Sequence, residues 1–183
     1  VAEGAAPRDE DLGAELRPAP AWHTHGGLVG IVARTPAVLE ARLRDAWATS
    51  STVVVGLRTL QPGTRAAELT ALGGGAAGGA PAPAGGGAVV VVGDADAWQQ
   101  HWSLLAAIRA GHPLIIDGGS LGEFRALTGS RELPPYLSGD ASWLCAPDGS
   151  VSRVQLPKAR GVYPGADGLG RPSARSFGQT ARP

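Results

Sequence analysis

Residues 88–119 read AVVVVGDADAWQQHWSLLAAIRAGHPLIIDGG. Ala88 to Val92 is a short apolar, β-branched run with the character of a buried strand. Gly93-Asp94-Ala95-Asp96 follows as a turn, and either aspartate can cap the helix that runs from there to about Ala110. Trp98, Trp102, Leu105 and Ile108 recur at helical spacing and are predicted to face the sheet, with Gly111 as a left-handed cap. Leu114-Ile115-Ile116 is a second buried strand. Strand, helix and strand within this length make a βαβ unit, the repeating element of parallel sheets.

Working outward, Leu28 to Ala33 is another apolar strand, and Thr35-Pro36 is a favoured helix start. In that helix Val38, Leu39, Leu43, Ala46 and Trp47 are predicted on one face, with Glu40, Arg42, Arg44 and Asp45 toward water. Thr52 to Leu57 is a strand, and Thr64 to Leu72 a short helix after the Pro62-Gly63 turn. Beyond the central unit, Ser120 or Leu121 opens a helix carrying Phe124 and Leu127, closed by Gly129. Leu133-Pro134-Pro135 forbids regular structure. Ser142–Cys145 and Val151–Leu156 flank Asp148-Gly149, a strong hairpin signal. The fold class is therefore α/β: a small, open, mostly parallel sheet with flanking helices, ending in an antiparallel hairpin.

Much of the glycine and proline (28 and 15 of 183 residues) falls in three segments. Residues 1–21 and 158–183 lack a hydrophobic period and are expected to be disordered. GGGAAGGAPAPAGGG at 73–87 is a low-complexity linker interrupting an α/β domain at 22–157. The 16 basic and 16 acidic residues cancel, and no dense basic patch supports binding to nucleic acid or an anionic membrane. The C-terminal cations, among them Lys158, Arg160 and Arg171, are widely spaced. One cysteine, Cys145, excludes an internal disulfide and fits a reducing, cytoplasmic setting. No apolar run approaches a membrane span. A start at Val1 and the lack of methionine suggest a fragment of something longer.

Candidate chemistry is sparse. A phosphate-binding loop needs backbone N–H groups around phosphate with a Lys and a Ser/Thr hydroxyl, and the sole lysine is Lys158. Leu114-Ile115-Ile116-Asp117 has the form of a magnesium-holding acidic strand end, but Gly118 stands where a second acidic residue is expected. Asp94 and Asp96 could share a magnesium ion in a carboxylate-nucleophile phosphatase; as a helix cap they need no partner. His23-Thr24-His25, His101 and His112 show no ligand spacing. Cys145 lies in an apolar strand, the setting of an inert thiol. The tryptophans Trp47, Trp98, Trp102 and Trp143 supply core or an aromatic contact patch. Arg125 and Arg131, with Trp98, are the candidate contact residues.

Gly93-Asp94-Ala95-Asp96-Ala97-Trp98-Gln99, Ala126 to Pro135 (ALTGSRELPP), Trp143-Leu144 and Val151 to Pro157 together resemble the C-terminal end of actinobacterial FtsK/SpoIIIE-like ATPases, the DNA-translocase and type VII secretion relatives. The likeness covers about residues 88–157. It implies a degenerate RecA-like domain whose parent binds ATP and magnesium and moves DNA or protein through a ring. It carries no catalytic residue over, since the phosphate-loop lysine has no counterpart and the acidic pair ends at Asp117-Gly118. The expected role is non-catalytic: assembly or regulation through contacts with an adjacent ATPase domain or ring subunits, with no cofactor in this segment. Two alternatives stand beside it, a stand-alone magnesium-dependent phosphatase-like hydrolase using Asp94, Asp96 and Asp117, and a flavodoxin-like small-molecule module with its ligand at the strand ends.

Overall fold

Four consecutive valines, Val89–Val92, present β-branched side chains on both faces of one strand, which is stable only with both faces covered. The computed structural model describes residues 18–24, 26–48, 50–73 and 87–158, and it places this strand inside the sheet. In chain order the elements are β1 (Gly27–Ala33), α1 (Pro36–Ala46), β2 (Val53–Gly56), α2 (Ala66–Gly73), β3 (Ala88–Gly93), α3 (Ala95–Gln100), α4 (Trp102–Gly111), β4 (Leu114–Asp117), α5 (Leu121–Thr128), β5 (Ala141–Cys145) and β6 (Val151–Gln155). A 3-10 turn, Leu57–Thr59, follows β2. The sheet order is β2-β3-β1-β4-β5-β6. β2, β3, β1 and β4 run parallel, and β5 and β6 are antiparallel additions. The expected α/β class, mostly parallel sheet and terminal hairpin are all present.

Handedness decides which face each helix covers. The β1-to-β2 crossover runs one way along the sheet, while β2-to-β3 and β3-to-β4 run the other way. Right-handed crossovers of opposite direction must lie on opposite faces. Accordingly, Leu39 and Leu43 of α1 pack on one face with Val29, Ile31, Val90, Val92 and Ile115. Side chains from α2, α3, α4 and α5 pack on the other, among them Leu69, Trp98, Ile108 and Phe124.

Trp98 anchors the thicker layer. Its indole is fully buried and its Nε1–H donates to the Ile31 carbonyl at 3.0 Å. The sheet beneath it is bare: a methyl on Gly30 would sit 3.2 Å from the Trp98 ring, and one on Gly93 would sit 3.3 Å from Nε1. Phe124 and Trp143 meet edge to face at 5.1 Å between ring centres.

The thin face gains a cover that the sequence pattern does not announce. Ala21 pairs in parallel with Gln155. The Trp22 N–H donates to the Gln155 carbonyl, and the Gln155 N–H to the Pro20 carbonyl, each at 2.8 Å. Trp22 is buried against Val154 and Leu156 and meets Trp47 edge to face at 5.7 Å. Pro20 and Ala21, assigned above to a disordered terminus, thus extend the sheet beyond β6. The remainder of that terminus, the linker residues 74–86 and the tail from 159 onward lie outside the described residues. The linker's two ends meet: a methyl on Gly73 would lie 2.7 Å from the Gly87 carbonyl oxygen.

Three local expectations are corrected. Trp102 does not face the sheet but is 71% exposed, because the helix breaks at His101 (φ −101, ψ 41) and α4 restarts with a different phase. Val38 is exposed rather than on the buried face of α1. Gly111 is the last residue of α4, with His112 as an extended cap, and it has no positive φ.

Candidate functional site

In an open parallel sheet, ligands bind outside the carboxyl ends of the strands, where neighbouring connections depart to opposite faces. Here β1 leads to α1 on one face, while its neighbours β3 and β4 lead to helices on the other. A crevice of about 400 Å³ opens at that edge, lined by Arg34 after β1, Asp94 and Asp96 after β3, Gly118 and Gly119 after β4, and Glu123 on α5.

Each feature of the crevice has a local cause. Gly118 and Gly119 both have positive φ (76° and 128°), so the residue after Asp117 is glycine for backbone reasons. Asp94 caps α3: one carboxylate oxygen accepts the Ala97 N–H at 2.8 Å and the other is paired with the Arg58 guanidinium. The Ala97 N–H and, after it, Arg58 hold the Asp94 carboxyl below the usual aspartate range against the opposing effect of burial. α5 begins with a reciprocal capping box, the Glu123 N–H donating to Ser120 Oγ at 3.2 Å and the Ser120 N–H to the Glu123 carboxylate at 2.6 Å. Those Ser120 bonds, with a smaller contribution from the Arg34 charge, also depress the Glu123 carboxyl. Pro36 at the start of α1 has no N–H to give.

The three aspartates named as a magnesium set are not brought together around one point. Asp94 and Asp96 line the crevice, with Asp96 exposed. Asp117 is in register with Ala33 and points to the α1 face, where its Oδ1 accepts from the buried Ser142 hydroxyl at 2.8 Å and its Oδ2 is 3.9 Å from Arg42. Among the described residues no group of three or more His, Cys, Asp and Glu side chains could hold a metal ion. His23 is exposed, and His25 lies outside the described residues. Cys145 lines a separate, largely apolar cavity of about 470 Å³ with Arg109 and Thr128, and burial pushes its thiol up to about 11.

Of the candidate contact residues, Arg125 and Arg131 are exposed. Trp98 is fully buried, so it is a core residue and is unavailable to a partner. Exposed apolar surface comes instead from Trp102, Leu133 and Tyr136. The loop holding Leu133 and Tyr136 is pinned by the Trp143 Nε1–H, which donates to the Pro135 carbonyl at 2.7 Å. Arg58, Ser142 and Trp22 carry interactions that sequence reasoning missed. Only Trp22 left a signal, an unassigned large apolar residue.

Asp94→Ala removes the α3 cap and is expected to cost about 1 kcal/mol at neutral pH. A depressed carboxyl stabilises the fold fully above the unfolded-state value of about 3.9 and loses that effect as pH falls through the folded-state value. Urea denaturation of the two chains should therefore diverge at pH 7 and converge at acid pH. A constant difference across that range would reject Asp94 as an ionised cap.

No helix among the described residues is long and apolar enough to cross a membrane. Comparison with protein-family models, curated proteins and solved structures returns no match.

Proposed function

We propose that this chain is a non-catalytic α/β domain of an FtsK/SpoIIIE-like motor, acting in assembly or regulation through protein contacts in the cytoplasm. Its partners on this reading are an adjacent ATPase domain or ring subunits, and ATP and magnesium belong to the neighbour. The carrying observation is the state of the carboxyl-edge crevice. The starts of α3 and α5 are already capped, by Asp94 and by Ser120 with Glu123, and Pro36 removes one N–H donor from the uncapped start of α1. Three carboxylates, one of them paired with Arg58, line it beside one guanidinium, from Arg34, a balance that disfavours a polyphosphate. The sole lysine, Lys158, is engaged with Asp140 at 2.9 Å. Exposed Trp102, Leu133 and Tyr136 supply the aromatic and apolar surface that protein contacts use.

Thermal unfolding with and without magnesium–ATP tests the reading. A nucleotide at a hundredfold over its dissociation constant would add about 2.7 kcal/mol, an easily measured rise in Tm. The expected result is no shift, and a rise of several degrees would overturn the proposal. The crevice volume favours a second reading, a flavodoxin-like binding module, and flavin mononucleotide in the same experiment separates it: stabilisation would support the module.

A further inference from the structure

We infer that the cavity enclosed by the carboxyl ends of α4 and α5 and the β5–β6 hairpin binds a medium-chain aliphatic carboxylate, its head held by Arg109 and Ser130. The inference goes beyond the assembly reading and does not depend on it.

The floor of this cavity is a row across three strands. Leu114 opens β4 opposite Cys145 of β5, and Cys145 stands opposite Val151 of β6. All three side chains belong to the face that α4 and α5 cover. That cover stops short here, because Gly129 takes a left-handed conformation (φ 71°) and ends α5. The space left is about 470 Å³, walled by Ala106 and Ala110 of α4 and by Pro147 of the hairpin turn. At about 30 Å³ per water molecule it holds on the order of fifteen solvent molecules, and octanoate is of a size to replace most of them.

The polar groups left over at this site are donors. No lining residue is acidic, and Asp148, in the same turn, gives its carboxylate to the Ser150 N–H and hydroxyl at 2.8 and 2.7 Å. The Arg109 guanidinium lies beside Gly129, where a methyl would sit 2.5 Å from it, and it forms no ion pair among the described residues. Thr128 is used within the fold, its hydroxyl donating to the Phe124 carbonyl at 2.8 Å and accepting the Ser130 N–H at 3.1 Å. The Ser130 hydroxyl accepts the Glu132 N–H at 3.2 Å, which leaves its own hydrogen to give. The Ala146 and Gly149 N–H groups are already bonded across the turn. Burial raises the Cys145 thiol to about 11, so the floor is uncharged at neutral pH. What remains is one guanidinium and one hydroxyl donor beside an apolar trough. A single guanidinium fork matches a planar carboxylate and balances its one charge. The lining holds no aromatic ring for stacking, so the body that fills it is an alkyl chain.

Calorimetric titration of the full chain with octanoate tests this. Saturable binding is expected, and hexanoate should bind severalfold more weakly, since each fully buried methylene contributes about fourfold. Octanamide keeps the chain and loses the charge, and should bind about tenfold more weakly. Two substitutions at exposed positions of α4 locate the site. Ala106→Trp fills the cavity and should abolish binding; Arg109→Glu should exclude octanoate and admit octylamine. An unchanged Tm shows that each variant is folded, and either one alone suffices. Octanoate binding that survives both substitutions, binding indifferent to chain length, or no binding to the parent chain at millimolar octanoate would each overturn the inference. The nucleotide experiment reads the carboxyl edge of the sheet, whereas Leu114 lies at the amino edge, so neither result decides the other.

Discussion

Trp98→Ala is expected to remove about 3–5 kcal/mol of stability, enough to leave a domain of ordinary marginal stability, about 5–15 kcal/mol, largely unfolded on modest warming. The indole is fully buried, and the two glycines beneath it cannot move inward to fill the space it vacates. Ile31 also loses the donor that reaches its carbonyl. Trp98→Phe keeps an aromatic ring and removes that donor, at an expected further-separable cost of about 1–2 kcal/mol. Gly30→Ala approaches the same contact from the sheet side. Its methyl would meet Leu114 at 3.1 Å and Ile108 and Trp98 at 3.2 Å, an overpacking expected to cost about 1–3 kcal/mol. Guanidinium midpoints followed by circular dichroism measure all three, and a Trp98→Ala chain within about 1 kcal/mol of the parent would contradict the burial argument.

Trp22→Ala is expected to cost about 3 kcal/mol, although the residue sits in a short edge segment outside the six strands. It fills the thin face of the sheet between Val154, Leu156 and Trp47, where α1 is the only helix among the described residues. The loss should have a spatial signature. Amide exchange should accelerate first at Trp22 and Gln155, whose backbone groups bond each other, while the fully buried Val89–Val92 amides exchange only on global unfolding. If Trp22→Ala left both stability and Gln155 exchange unchanged, residues 20–22 would be a surface decoration and not part of the core.

The strands were legible because their apolar runs are bounded by Gly, Asp and Pro, and because Asp148-Gly149 can hardly be anything but a turn. The helix caps at Asp94 and Ser120 were legible for the same reason: they are local. Trp102 was misplaced because periodicity was carried through His101, where the backbone breaks and the helical phase resets. Trp22 was missed because it stands among prolines in a segment with no period. The Arg58–Asp94 and Ser142–Asp117 pairs span 36 and 25 residues, so only the strand order could bring them together. The crevice itself is likewise a product of topology, formed where β1 parts from β3 and β4. Its lack of a phosphate cradle was readable from the missing lysine. The caps at its α3 and α5 edges were local and legible, but the place of Arg34 beside Asp94 and Glu123 was not.

The placement of β3 between β2 and β1, with Gly73 and Gly87 touching, has a consequence for how this molecule can be cut. β1 and β2 have no hydrogen-bonded contact with each other, so the amino-terminal half cannot form its part of the sheet until β3 arrives. During synthesis that half must wait on the ribosome for its central partner. Severing the backbone between Gly73 and Gly87 would leave each of the six described strands whole, and it would remove the effective concentration that a covalent connection provides. Two separately made pieces, divided there, have the design of complementing fragments: each incomplete alone, each holding the strands the other lacks.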